Sequence, residues 1–96
     1  ETIASNLAQA KMESLAFEGY SNLAVGEIEN RHRLSDDPQN PFYRYERETI
    51  IELLDGNLQT TASDLGLKKI TINVYWTNAN SGALQTLNLN SLISEK

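Results

Sequence analysis

Ile70-Thr71-Ile72-Asn73-Val74-Tyr75-Trp76 decides the fold. Ile70, Ile72, Val74 and Trp76 fall on one face and Thr71, Asn73 and Tyr75 on the other. A period of two is the mark of a half-buried β-strand. β-Branched residues and one large aromatic suit a pleated surface with a cover on one side. The rest of the chain can be read by asking what covers that face and what pairs with the strand's edges.

The chain has 96 residues, enough for one domain, 1–96, with a single modest core. Apolar residues make up 40%, which supports a globular core. The net charge of −5 is a poor match for nucleic acid or an anionic membrane surface, so no nucleic-acid partner is expected. There is no cysteine, which excludes disulfides and thiolate metal sites. Apolar runs are too short for a membrane span. The chain opens at Glu1 in what reads as the middle of a helix, so an anchor removed from the upstream side is the expectation.

Working outward from the strand, residues 67–77 form its full extent. Asn78-Ala79-Asn80-Ser81-Gly82 has the composition of a hairpin loop, and a last strand follows at 83–90. Upstream, residues 42–54 alternate Tyr43, Tyr45, Arg47, Thr49, Ile51 and Leu53 against Arg44, Glu46, Glu48, Ile50 and Glu52, a second strand. The mixture of aromatic and charged residues at its start suggests an exposed or edge pairing. Asp55-Gly56-Asn57 is a turn, and a polar loop runs on to Gly66.

Residues 2–17 are rich in helix formers. At 100° per residue, Ile3, Ala4, Leu7, Ala8, Met12 and Leu15 share one arc. Thr2, Ser5, Asn6, Gln9 and Glu13 share the opposite arc, and Lys11 falls inside the apolar one, its stem able to lie along the sheet. Gly19 is placed to end the helix with positive φ. Residues 19–41 read as a variable loop region, dense in turn residues at 35–41. Within it Leu23, Val25 and Ile28 form either a short strand or a loop tucked on the core, and the charged run 27–33 is exposed. The architecture expected is α+β: an N-terminal amphipathic helix packed on an antiparallel sheet of three to four strands. The Ile70/Ile72/Val74/Trp76 face should meet Ala4, Leu7, Ala8 and Leu15.

Catalytic chemistry is not assembled from these residue types. His32 is the single histidine and stands between Arg31 and Arg33, which repel a metal ion. One histidine and no cysteine leave no Ser-His-Asp, Cys-His or zinc constellation, and no cofactor or metal is expected. Glu46, Glu48 and Glu52 share a strand face, read as a solvated surface rather than a carboxylate pair. Asp55-Gly56-Asn57 with Asp64 lacks the spaced ligands of a calcium loop and reads as an ordinary turn. Tyr43, Tyr45, Tyr75 and Trp76 can form a stacking surface.

Leu7-Ala8-Gln9-Ala10-Lys11-Met12-Glu13-Ser14-Leu15 resembles the helix that follows the membrane anchor of type IV pilin-like proteins, minor pilins and minor pseudopilins in particular. The strand from Leu67 to Trp76, its Asn/Gly loop, and Leu87-Asn88-Leu89-Asn90-Ser91-Leu92-Ile93 resemble that group's C-terminal hairpin. The resemblance covers both ends of the chain, and the group's cleavage site and anchor are missing from it. It implies a pilin-like roll and a non-enzymatic subunit of a type IV pilus or of a type II secretion or competence pseudopilus. It implies a minor, initiating or tip, component. Other pilin or pseudopilin subunits would be its partners. The full-length protein would sit in a bacterial inner membrane, with this domain periplasmic or extracellular and membrane contact only through the missing helix. Ser5, Asn6, Gln9, Lys11 and Glu13 are the candidate subunit interface. Two further readings stand beside it: an adhesion or binding module using the loop and strand region 27–45, and a small enzyme with buried paired carboxylates.

Overall fold

The structure is a computed structural model that describes residues 2–77 and 81–95. Residues 78–80 of the expected hairpin loop lie outside the described residues. Helix α1 (Thr2–Glu18) is followed by a 3-10 turn (Tyr20–Asn22) and by strand β1 (Gly26–Arg33). A second 3-10 turn (Pro41–Arg44) leads into β2 (Tyr45–Leu53), and β3 (Leu67–Thr77) and β4 (Leu84–Ser94) complete the chain. The four strands form one antiparallel meander in the order β1-β2-β3-β4, with α1 against one face. The fold class is the expected α+β.

Four expectations need correction. The region 19–41 is not all variable loop, because Gly26–Arg33 is an edge strand. Its charges concealed it: six of the residues in the run Glu27–Arg33 are polar or charged, so there is no apolar alternation to find. The strand expected at 42–54 begins at Tyr45, since Pro41 at the head of a 3-10 turn holds residues 41–44 in a helical bend. That strand is interior rather than edge, lying between β1 and β3. The last strand runs to Ser94 rather than stopping at residue 90.

β3 keeps the phase read from the sequence. Ile70, Ile72 and Val74 are at most 1% exposed and pack with Ala4, Ala8, Leu15, Leu23, Tyr45 and Ile51. Trp76 continues the face at the rim, partly buried, its ring centroid 5.8 Å from that of Tyr45. On α1 the buried stripe is Ala4, Ala8 and Leu15, with Leu7, Lys11 and Met12 half-buried beside it. Ile3 and Phe17 remain exposed. Small alanines at the contact let the helix sit close on β3 and β4, the strands it touches most.

The same face of β3 carries one residue that the alternation alone does not explain. Lys68 is 5% exposed. Its Nζ donates to the carbonyls of Tyr20 and Leu23, 2.8 Å each, and lies 4.1 Å from the Tyr20 ring centre. Gly19 makes this possible: its φ of 85° and ψ of 162° fall in a region reached essentially only by glycine. It turns the chain off the helix so that the 3-10 carbonyls face the sheet. Tyr20 is fixed in turn, its hydroxyl donating to Asp64 in the loop before β3. Burial first, then that hydrogen bond, push its phenol up to about 12.

Lys68→Met should keep the aliphatic packing, leave the Leu23 carbonyl without this donor and leave that of Tyr20 with the Leu23 amide alone. A stability loss of about 2–4 kcal/mol in urea unfolding is expected. Lys69→Met, on the opposite face, should shift stability by no more than about 0.5 kcal/mol.

Candidate functional site

Glu27, Glu29, Arg31 and Arg33 alternate in sequence, so a regular strand would hold all four on one face. The strand is not regular. Its pairing with β2 slips between Glu27 and Glu29 and again between Glu29 and His32. Each β-bulge reverses which face the following residues take. Glu29 alone is turned to the helix side, where it pairs with Thr49, and Arg31 and Arg33 return to the outer side.

Glu29 thereby completes a partly buried cluster. Arg47 donates to it from Nε at 3.0 Å and from Nη2 at 3.0 Å, a bidentate pair. Thr49 Oγ1 donates at 2.8 Å and the His32 ring nitrogen Nε2 lies at 2.8 Å. Arg47 Nη1 also donates to the carbonyl of Leu7 in α1 at 3.2 Å, linking helix, β2 and β1. Burial works against the Glu29 carboxylate, but the hydrogen bonds from Arg47, His32 and Thr49 outweigh it and hold its pKa at about 2.

Arg31 and Arg33 line a surface cavity of about 230 Å³ with Tyr43, Arg44, Tyr75 and Trp76. Three of the chain's four arginines meet there in a protein of net charge −5. The Arg31 guanidinium stacks 3.8 Å above the Tyr75 ring centre, and its Nε donates to Glu46 at 2.6 Å. The Arg33 guanidinium lies 4.3 Å above the Tyr43 ring centre and donates to the Tyr43 carbonyl at 2.9 Å. Tyr43 and Arg44 are presented by the 3-10 turn, whose start is capped by Asn40 Oδ1 accepting from the Phe42 amide at 2.8 Å. Stacking and hydrogen bonding fix two guanidinia before any ligand arrives, and Arg44 stays exposed at the mouth. Glu46 offsets one of the three charges, so the cavity keeps a positive balance. Such a lining can hold a carboxylate or phosphate against its guanidinium groups, while the rings of Tyr43 and Tyr75 each already carry one of them.

The outer sheet face beside it is a hydrogen-bonded polar ladder. Glu48 accepts from the Tyr75 hydroxyl and from Asn73 Nδ2, the latter at 3.0 Å. The Tyr75 bond lowers the Glu48 pKa and raises that of Tyr75. Glu27 is raised by its hydrogen bond with Glu48, by desolvation and by the Glu48 charge. Glu46 and Glu48 are therefore engaged as acceptors on an open sheet surface. Asp55 Oδ1 accepts from the amides of Asn57 and Gln59, while Asp64 accepts from Tyr20 and the Gly66 amide. Among the described residues no group of three or more His, Asp or Glu is placed to hold a metal ion.

Of the candidate interface residues, Ser5, Asn6, Gln9 and Glu13 lie on the exposed side of α1, and Lys11 is half-buried on the sheet side. They do not meet the arginine cavity. The cavity takes Arg31, Arg33, Tyr43 and Arg44 from the 27–45 segment, and Tyr75 and Trp76 of β3 complete it. Its signal in the sequence was weak: arginines two residues apart with aromatics elsewhere.

Comparison with family models, curated proteins and solved structures gives no match for this chain. A helix packed on an antiparallel meander is shared by many unrelated proteins and does not identify a pilin. Among the described residues no helix is long and apolar enough to cross a membrane.

The Glu29 cluster has a pH signature. A carboxylate depressed from 4.5 to about 2 contributes its stability above pH 4.5, and the contribution drains away as pH falls toward 2. Glu29→Gln should lower the melting temperature at neutral pH, because Arg47 loses its charged partner, and should flatten the melting curve's dependence on pH between 4.5 and 2. Thermal melts by circular dichroism across that window test both.

Proposed function

We propose that this chain is a non-enzymatic structural subunit of a type IV pilus or of a type II secretion or competence pseudopilus, acting as a minor initiating or tip component. The partners would be other pilin or pseudopilin subunits, and the full-length protein would reside in a bacterial inner membrane with this domain on the periplasmic or extracellular side. The observation that carries the reading is the division of α1 into two faces. Ala4, Ala8 and Leu15 are buried on the sheet, while Ser5, Asn6, Gln9 and Glu13 stay exposed along the other side. A helix that serves both its own domain and a bundle of neighbours needs such a division. The resemblance at both ends of the chain adds to it. Arg47 and Lys68 fasten the helix and the turn after it to the sheet, so a force on the helix reaches the β-domain without slack.

In full-length protein assembled in cells, cysteines at both Ser5 and Glu13 should give disulfide-linked species longer than two neighbouring subunits, and Thr71→Cys on the outer sheet face should give no cross-link. Equal cross-linking in both variants, or no species longer than two subunits, would count against the reading.

A binding module is the second reading, favoured by the arginine cavity. Titration with benzoate, a carboxylate on a flat ring, should shift the Trp76 indole and arginine side-chain resonances in nuclear magnetic resonance spectra. Arg44→Gln should weaken that binding about tenfold, the loss of one charge-assisted contact. An unmoved Trp76 signal would remove this reading and leave the filament reading intact.

A further inference from the structure

The two edges of the sheet are built differently. β1 is charged along its length and broken by two bulges, devices that keep an edge from pairing with another strand. β4 has neither. From Leu84 to Ser94 it contains no Asp, Glu, Lys, Arg, Pro or Gly, and its register with β3 runs unbroken over eleven residue pairs. Among the described residues no strand lies on its outer side. Leu84 and Leu92 are 59% and 50% exposed on it. A long, regular, uncharged open edge in a chain of net charge −5 offers a template with nothing to repel a like strand.

We infer that the edge of β4 pairs with β4 of a second copy of this chain, antiparallel about a twofold axis through Leu89. The strand's own sequence suits that partner. The register that overlaps the two strands fully sets Leu89 opposite its counterpart, Leu87 opposite Ser91 and Gln85 opposite Ile93 on the helix side. On the outer side Asn88 faces Asn90 and Thr86 faces Leu92. No charged residue meets another, and each exposed leucine on the outer face gains cover. The amides of Asn88 and Asn90 already run in a ladder: Asn90 donates to Asn88 at 2.6 Å, Asn88 to Asn73 at 2.6 Å, and Thr71 to Asn90 at 3.0 Å. The second copy continues that ladder across the axis.

The helix layer supports the same register. Helix-side residues of β4 are odd-numbered, and a pairing about Leu89 sets odd opposite odd, so both helices lie on one side of a continuous sheet. Strands are spaced about 4.8 Å apart. With α1 over β3 and β4, its axis stands about 5 Å from the twofold, and the two helices about 10 Å apart, an ordinary helix-packing distance. The surface turned toward that contact is open. A groove of about 210 Å³ runs between Ser5, Ala8 and Gln9 of α1 and Leu87 and Leu89 of β4, beside the axis position itself. The partner's helix closes it, and the small side chains of Ser5 and Ala8 permit the approach.

This inference rests on the strand edge and not on the filament reading. Sedimentation of the unaltered soluble chain should show reversible conversion from monomer to dimer with rising concentration. Asn88→Lys with Asn90→Lys places lysines opposite one another at two points of the junction and should weaken dimerisation at least about tenfold. Mixing that variant with Asn88→Asp/Asn90→Asp should restore a dimer containing one chain of each. A single-cysteine pair gives an independent measurement, since the chain has no cysteine of its own. An oxidised mixture of Asn88→Cys and Asn90→Cys chains should yield the mixed disulfide in preference to either like pair. A monomer at all concentrations overturns the inference. So does a dimer that survives the lysine variant, and so does cross-linking without preference for the mixed pair.

Discussion

One helix cannot cover four strands. An α-helix with its side chains is about 10 Å across, and a four-stranded sheet spans about 15 Å between the axes of its outer strands. The seventeen residues of α1 therefore cover β3 and β4 and leave the β1–β2 half of the same face to be closed by something else. That shortage explains most of what is unusual in the molecule. Leu23, in the turn after the helix, is drawn over the sheet as a substitute. Where apolar cover runs out, the face turns polar: Thr49 is fully buried under Glu29, and Arg47 spans from β2 to the helix backbone. The charged cluster is a seam between a greasy half and a wet half of one sheet. Its geometry is bidentate and its remaining acceptors are satisfied, the condition under which a partly buried ion pair is tolerated.

The second fastening, Lys68, solves the same problem at the other end. A 3-10 turn leaves carbonyls pointing at a nearly closed interior, where an unpaired one would cost about 1–3 kcal/mol. A lysine on the buried face of β3 donates to the Leu23 carbonyl just past the turn and adds a second donor to that of Tyr20, and it rests its charge on a tyrosine ring. Both fastenings connect a side chain of the sheet to backbone oxygen of the helical layer. Helix and sheet are thus held by directed bonds as well as by apolar contact.

How much of this the residues announced depends on whether a signal is periodic. β3 was legible to its last residue because Ile70, Ile72 and Val74 alternate without interruption, and α1 was legible because its formers are uniform. β1 was not, since bulges erase the alternation that a strand is read from, and its residues are recruited for charge rather than apolarity. Lys68 fits the β3 period, but nothing near it in sequence says what its ammonium meets; here it reaches carbonyls supplied by a turn 45 residues and more away. The arginine cavity was half legible. Arg31, Arg33 and Tyr43 lie together in the 27–45 segment, but their approach to Tyr75 and Trp76 is a product of strand register, which single-strand patterns do not encode.

The contrast between the two edges carries a consequence for how this chain behaves in a crowd. Association through sheet edges becomes fibrous when each molecule offers two open ends, because every addition leaves a fresh one. Here the bulged and charged β1 is a dead end. Growth by that route can advance by one step only, after which both exposed borders of the combined sheet are the guarded kind. The irregular pairing that costs β1 its ladder thus works as a chain terminator: a molecule with one adhesive border is spared the amyloid-like stacking that two would invite.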